Sequence, residues 1–229
     1  MTICVIPARG GSKRIPRKNI KQFCGKPMIQ WSIEAAKKAN IFDSIIVSTD
    51  DDRIREIAES LGALVPFKRP QELSDDQANT TDVIVHAGSW AKNSGLNAEI
   101  ICCLYATAPF VQTVDLVKAH SIIMSGDWQF VFSAGEYSSP ILRSFKQNQN
   151  GGVEMFFPEY FKARSQDLPV ALFDAGMFYI GTANAWNSRL KIFDKYSFPL
   201  KIPSWRVQDI DTPDDWERAE RMAQFLLDD

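Results

Sequence analysis

Five cations, Arg9, Lys13, Arg14, Arg17 and Lys18, lie within ten residues in the stretch Pro7-Ala8-Arg9-Gly10-Gly11-Ser12-Lys13-Arg14-Ile15-Pro16-Arg17-Lys18-Asn19. Gly10 and Gly11 carry no Cβ, so backbone N–H groups there can approach an anion closely. Such a stretch suits a polyphosphate, although a solvated basic loop has the same composition. The next glycine after Gly11 is Gly25, so the stretch is neither GxxxxGK[ST] nor GxGxxG, and the common NTPase and dinucleotide loops are poor matches. A second concentration is Gln208-Asp209-Ile210-Asp211. On an extended chain Asp209 and Asp211 share one side, about 7 Å apart, and two carboxylates facing a triphosphate loop imply Mg²⁺. The same spacing, taken alone, fits a helix cap and a surface acid more readily.

These groups need a scaffold, and hydrophobic periodicity outlines one. Residues 3–7 form a short apolar, β-branched run of the kind a buried parallel strand shows. Met28, Trp31, Ser32, Ala35, Ala36 and Ala39 recur at helical spacing behind Pro27. Residues 44–49 predict a second strand, and Ile54, Ile57, Ala58 and Leu61 a helix ended by Gly62. Residues 63–67 are a third strand candidate, and the polar segment 68–80 is too long for an ordinary connection. A helix over 81–94, a strand over 99–104 and a helix over 113–124 continue the alternation. The pattern predicts an α/β fold with a mostly parallel sheet and helices on both faces. Beyond a strand at 130–133, residues 141–157 read as a hairpin around Gln149-Asn150-Gly151-Gly152, part of an inserted element over 137–168. The chain returns through a strand at 170–180, a short helix at 182–190 and a strand at 205–210. Thr212-Pro213-Asp214-Asp215 opens the last helix, and all 229 residues make one domain.

Twenty-six Lys and Arg against 28 Asp and Glu leave a formal charge of -2, without the positive field of a nucleic-acid or membrane-surface binder. No apolar run approaches the roughly 20 residues that span a bilayer, and the N-terminus has no secretory pattern, so no nucleic-acid or membrane partner and a cytoplasmic location are expected. Cys4, Cys24, Cys102 and Cys103 form no CxxC pair and read as buried reduced thiols. His86 and His120 sit in helix patterns without partners at metal spacing and read as structural.

The stretch from Pro7 to Lys13, with Lys18-Asn19, resembles the signature of the CMP-sialic acid synthetase (acylneuraminate cytidylyltransferase) family. Asp209-Ile210-Asp211-Thr212-Pro213 with Asp215-Trp216 resembles its C-terminal motif, and Ser48-Thr49-Asp50-Asp51 and Arg69-Pro70-Gln71-Glu72-Leu73 match in order between them. Leu104-Tyr105-Ala106-Thr107-Ala108-Pro109-Phe110 and Phe173-Asp174-Ala175-Gly176-Met177-Phe178-Tyr179 are similar to the versions in the branch that activates pseudaminic acid. The resemblance implies a three-layer Rossmann-like fold of the nucleotide-diphospho-sugar transferase type. It also implies a nucleotidyltransferase reaction, in which the anomeric hydroxyl of a nonulosonic acid, a nine-carbon sugar acid, attacks the α-phosphate of CTP to give a CMP-sugar and pyrophosphate.

By the same resemblance Ala8, Arg9, Gly10, Gly11, Ser12, Lys18, Asn19, Arg69 and Thr80 bind the nucleotide. Lys18, Arg9, Asp209 and Asp211 are catalytic, and the two aspartates carry Mg²⁺. Tyr105, Asp174, Phe178 and Tyr179 lie toward the sugar pocket, although Phe178 and Tyr179 equally fit a buried strand pair. Tyr105 stands where the sialic acid enzymes have the Gln of Gln-Pro-Thr-Ser-Pro. That departure favours pseudaminic acid over legionaminic acid, N-acetylneuraminic acid and the eight-carbon acid of lipopolysaccharide cores. The inserted element is implied to form a homodimer, with Arg143 or Arg164 reaching the sugar carboxylate across the interface. A CTP-binding module without catalysis is the reading from another class, and the intact Lys18, Asp209 and Asp211 argue against it.

Overall fold

The N-terminal apolar run is strand β1 (Thr2–Pro7) in the computed structural model, which describes residues 1–75 and 78–226. Ile3 and Val5 enter one core while Cys4 and Ile6 enter another, so the strand is apolar throughout because both faces are covered. A small hairpin, β2 (Gln22–Phe23) and β3 (Lys26–Pro27), precedes α1 (Met28–Ala39), β4 (Ser44–Ser48), α2 (Asp52–Ser60), α3 (Thr80–Asn93), β5 (Ile100–Leu104) and α4 (Thr113–Met124). Then come β6 (Phe130–Glu136), the hairpin β7 (Phe145–Gln147) and β8 (Val153–Met155), β9 (Leu172–Thr182), α5 (Ala183–Asn187), β10 (Ser197–Lys201) and α6 (Pro213–Leu226).

The main sheet has the order β10-β6-β9-β5-β1-β4. β1 runs parallel to β4 and β5, and β10 runs parallel to β6. β9 is antiparallel to both of its neighbours. The expected mostly parallel, layered α/β architecture is what the described residues form. Ile33 of α1, Leu116 of α4 and Trp216 of α6 pack on the face that holds Cys4, and Ile84 and Ala87 of α3 with Trp186 of α5 pack on the face that holds Ile3. The helix starts near the ligand edge are capped locally. Asp51 accepts from the N–H groups of Arg53 and Ile54, and Asn79 accepts from that of Asp82.

Three expectations need correction. Residues 63–67 form no strand: they bridge β4 at the isolated pair Ile46 with Leu64, a second isolated bridge, Thr49 with Lys68, lies just beyond both segments, and Pro66 has no N–H with which to continue a ladder. Cys4, Cys102 and Cys103 are buried, but Cys24 is exposed in the turn between β2 and β3. The strand expected over 205–210 is absent: a 3-10 turn, Ser204–Arg206, leads into coil. The sheet edge is taken by β10, which periodicity missed because Pro199 interrupts it, and an edge strand tolerates a proline.

Side chains hold that coil in place. The Arg206 guanidinium donates to both oxygens of Asp115 at 2.8 and 3.0 Å, both groups are nearly buried, and Asp115 also accepts from the Gln112 N–H at the start of α4. Ile210 is fully buried, and Asp215 accepts from the N–H groups of Asp211 and Thr212. Losing one partner of a buried pair costs about 3–5 kcal/mol, or about 6–20 °C in Tm for a domain of this size. Arg206→Ala and Asp115→Ala should each show that loss in thermal melts, and the double variant should be little worse than either. Additive losses would contradict the pairing.

Candidate active site

A cleft of ≈ 650 Å³ is lined in part by residues at the C-terminal ends of β1 and β5, where open α/β sheets place their ligands. Arg9, Ser12, Lys13, Arg14, Lys18 and Asn19 come from the loop after β1, Arg69 and Thr80 from the segment between α2 and α3, and Tyr105 from the end of β5. Asp209 and Asp211 join them from the coil before α6. Nine of the residues singled out in the sequence, Arg9, Ser12, Lys18, Asn19, Arg69, Thr80, Tyr105, Asp209 and Asp211, therefore line one cleft.

Charge is arranged unevenly around the two aspartates. Lys18 Nζ donates to the Ile210 carbonyl at 2.6 Å and to Asp211 Oδ1 at 3.1 Å, while Arg14 Nη2 lies 2.8 Å from Asp211 Oδ2. Burial pushes the Asp211 pKa up, but the hydrogen bonds and charges of Lys18 and Arg14 outweigh it and leave the carboxyl below its usual range. Asp209 is held above that range, first by burial and then by the charge of Asp211, with Lys18 acting in the opposite sense. Two carboxylates of hard oxygen donors, one of them destabilised as an anion, fit a divalent cation that takes its other ligands from phosphate and water. Among the described residues no group of three or more His, Cys, Asp and Glu side chains converges as a metal site.

Gly10 is placed differently from expectation. The Gly10 N–H donates to Asp50 Oδ1 at 3.0 Å, and a Cβ on Gly10 would lie 2.7 Å from Asp51 Oδ2. Gly10 therefore brings the loop against the start of α2, and its N–H is already committed. Ala8 is buried beneath the loop with its N–H on the Ser48 carbonyl, and neither it nor Gly11 lines the cleft. Asn19 is buried, and its Nδ2 donates to the Arg9 carbonyl at 2.9 Å, which buttresses the loop from below. Arg9 Nη1 donates to the Asp75 carbonyl at 2.7 Å, so the long loop meets the phosphate loop; residues 76–77 of that loop lie outside the described residues.

Arg69 is the most unusual group present. It is 5% exposed, Nε and Nη2 make no hydrogen bond, and Asp50 Oδ1 is 3.8 Å from Nη2. Burial holds its pKa below the usual value, partly offset by Asp50. A buried guanidinium with unspent donors is costly unless a ligand uses them. Asp50 thus supports both Gly10 and Arg69, a role not deduced from its place in Ser48-Thr49-Asp50-Asp51, and Arg206 and Asp115 were likewise given no role. Arg14 was read only as one of the five loop cations, and Asp215 only as the acid of a helix-capping pattern.

At the end of β5 Tyr105 lines the cleft, and its hydroxyl lies 3.0 Å from Thr80 Oγ1. Burial pushes the Tyr105 pKa up to about 12, so the phenol stays protonated at neutral pH. Phe178 is fully buried in the core that holds Cys4, and the structure does not bring it to the cleft; neighbouring strand residues point to opposite faces. Tyr179 and Asp174 do not line the cleft either, but Tyr179 packs against Tyr105 from behind. Arg143 Nη1 donates to Ser165 Oγ at 3.4 Å, Arg164 pairs with Asp167 through two hydrogen bonds, and neither arginine lines the cleft.

Comparison with known proteins gives this site a family. A family model described as cytidylyltransferase matches residues 3–141. The chain is 45% identical to a Campylobacter jejuni pseudaminic acid cytidylyltransferase over 95% of this chain and 94% of that protein. It is 28% identical to the CMP-N,N'-diacetyllegionaminic acid synthase of Legionella pneumophila over 97% and 96%. The solved structure of a CMP:2-keto-3-deoxy-manno-octonic acid synthetase complexed with CTP has a TM-score of 0.73 and 19% identity, covering 98% of this chain and 99% of that one, a likeness of fold. This chain belongs to the cytidylyltransferase family of nucleotidyltransferases.

Proposed function

We propose that the protein transfers CMP from CTP to the anomeric hydroxyl of pseudaminic acid and releases pyrophosphate. The observation that carries this reading is the meeting of Lys18 and Asp211, 193 residues apart in the chain, in the cleft that also holds Arg9, Ser12 and the under-used Arg69. The similarity to the Campylobacter jejuni enzyme over nearly the whole chain supports the choice of acceptor.

Arg9, Ser12 and Lys18 hold the triphosphate, while Arg69 and Thr80 offer donors to the cytosine. The acceptor oxygen bonds to the α-phosphorus as the bond to the bridging β-phosphate oxygen breaks. Pyrophosphate leaves with that electron pair and the hydroxyl proton is released. Negative charge grows on the phosphoryl oxygens, so cations fixed in advance are the main source of rate enhancement. Asp209 and Asp211 would hold Mg²⁺, whose chemistry there is to polarise the α-phosphate. Ala8, Gly10, Gly11 and Asn19 shape the loop that carries these cations. We assign the inserted element, where Phe145, Val153, Phe156 and Phe161 stand exposed, to a homodimer contact, since clustered exposed apolar residues mark interaction surfaces. Among the described residues no helix is long and apolar enough to cross a membrane, and we place the reaction in the cytoplasm, where CTP is made.

Pyrophosphate release should be measured with CTP and Mg²⁺ against pseudaminic, legionaminic and N-acetylneuraminic acids and the eight-carbon keto acid, with light scattering on the same sample. Turnover mainly with pseudaminic acid is expected, abolished by EDTA, restored by excess Mg²⁺ and carried by a dimer. Preference for N-acetylneuraminic acid would keep the chemistry and overturn the acceptor assignment. CTP binding without pyrophosphate from any acceptor would leave a binding module, and a monomer would remove the dimer assignment.

A further inference from the structure

Among the described residues five helices are followed by a residue in the left-handed conformation, and four of these places are filled as that backbone prefers: Asn40 after α1, Gly62 after α2, Gly95 after α3 and Gly126 after α4. The fifth is Arg189, after α5, at φ 51°. Its N–H donates to the Trp186 carbonyl at 3.0 Å and the Leu190 N–H to the Ala185 carbonyl at 3.1 Å, the nested pair of bonds that closes a helix end around a left-handed residue. A glycine would satisfy that turn without strain, whereas a side chain there is strained. An arginine in such a place points to a use for its guanidinium.

The guanidinium reaches the start of α3. Arg189 Nη2 and Nε donate to Asp82 Oδ1 at 2.8 and 3.1 Å, a contact between residues 107 positions apart. Asp82 Oδ2 accepts from Asn79 Nδ2 at 2.7 Å, and the Asp82 N–H donates back to Asn79 Oδ1 at 2.8 Å. Asp82 is thereby fixed through both oxygens, and Asn79 is the residue that caps α3. Its chain neighbours Ala78 and Thr80 both line the cleft. The Ala78 N–H donates to Asp75 Oδ1 at 2.8 Å, and the Asp75 carbonyl accepts from Arg9 Nη1 at 2.7 Å. A connected series of contacts thus runs from Arg189, which does not line the cleft, to Arg9, which does. At its other end the same segment is held by backbone, through the Arg69 N–H on the Thr49 carbonyl at 2.8 Å.

We propose that Arg189 is a positioning residue for nucleotide binding: by gripping Asp82 it sets the start of α3, and with it Ala78, Thr80 and the Asp75 carbonyl that orients Arg9, in the places that CTP requires. The device works by preorganisation, since a segment already in place has less freedom to lose when the nucleotide binds. Its size is bounded. A contact biases the segment only by its own free energy, and a partly exposed ion pair such as this one is worth at most about fivefold in an equilibrium constant. The inference rests on the cleft binding CTP, as proposed above, and adds to that site a residue that stands outside it.

The test is CTP affinity by calorimetry with Mg²⁺ on the full chain, with thermal melts of the same samples without nucleotide. The variants are Arg189→Gly, Arg189→Ala, Arg189→Lys, Asp82→Asn and the Asp82→Asn/Arg189→Gly double. Arg189→Gly removes the guanidinium but suits the backbone, so its Tm should stay within about 3 °C of wild type while CTP affinity falls about fivefold. Arg189→Ala loses the same guanidinium and keeps the strain, so it should bind CTP as weakly as Arg189→Gly and melt about 2–4 °C below it. A purely structural arginine would not separate affinity from stability in this way. Arg189→Lys keeps the charge and should bind CTP more tightly than Arg189→Gly. In the Asp82→Asn background, Arg189→Gly should change affinity less than about twofold, because the arginine acts through that carboxylate. Should Asp82→Asn fail to fold, the glycine and alanine variants decide the question. Wild-type affinity in Arg189→Gly, losses of affinity that follow Tm, no recovery in Arg189→Lys or multiplicative losses in the double variant would overturn the proposal. A wild-type protein that does not bind CTP would overturn the proposed function and this inference together, whereas CTP binding that is indifferent to Arg189 would overturn this inference alone.

Discussion

The contact between the Lys18 ammonium and the Ile210–Asp211 segment is the interaction on which the rest of the site depends. It ties the loop after the first strand to the coil before the last helix, two segments that share no sheet ladder. Asp211 has a cation on each oxygen, Lys18 on one and Arg14 on the other, so two positive charges meet one carboxylate and the clasp keeps an excess of positive charge. In the proposed function, triphosphate oxygens would compete with Asp211 for Lys18 and Arg14, and the carboxylate would turn to the divalent cation that it holds with Asp209.

Such an exchange works only if the partners cannot drift, and buried polar groups supply the rigidity. Asn19 supports the loop from below. Asp50 takes the Gly10 N–H and faces Arg69. Arg206 pins the aspartate-bearing coil to the start of α4, and Asp215 pins its other end to α6. Arg69 stands apart, since its guanidinium is buried with donors unspent, a cost recovered when a ligand arrives with acceptors.

Much of the cleft was legible in the sequence where chemistry is carried by residue type, as in the Asp209 and Asp211 pair and the loop cations, of which Arg9, Lys13, Arg14 and Lys18 line the cleft and Arg17 does not. What was hidden is where geometry overrides type. Gly10 announces that no side chain fits, but not that Asp51 occupies the space and Asp50 takes the N–H. Pro199 conceals an edge strand, and the apolar residues at 207 and 210 suggest a strand where buried side chains anchor a coil. Phe178 and Tyr179 look equivalent in sequence, yet strand alternation sends Phe178 into the far core and Tyr179 against Tyr105. A bulge in β9, opposite Phe132 to Ala134 of β6, left only Gly176 as a trace, because an insertion of three residues is invisible until its partner strand is known.

The most direct test of the clasp is Lys18→Ala, with CTP affinity measured by calorimetry and CMP transfer measured in a single turnover. In the proposed function Lys18 holds the triphosphate and matters most as charge develops, so the transfer rate should fall at least roughly 100-fold, the scale of one preorganised donor. CTP affinity should weaken by less than about tenfold, or 1.4 kcal/mol. Equal losses in affinity and rate would make Lys18 a binding residue only, and an unchanged rate would contradict the account of how this site works.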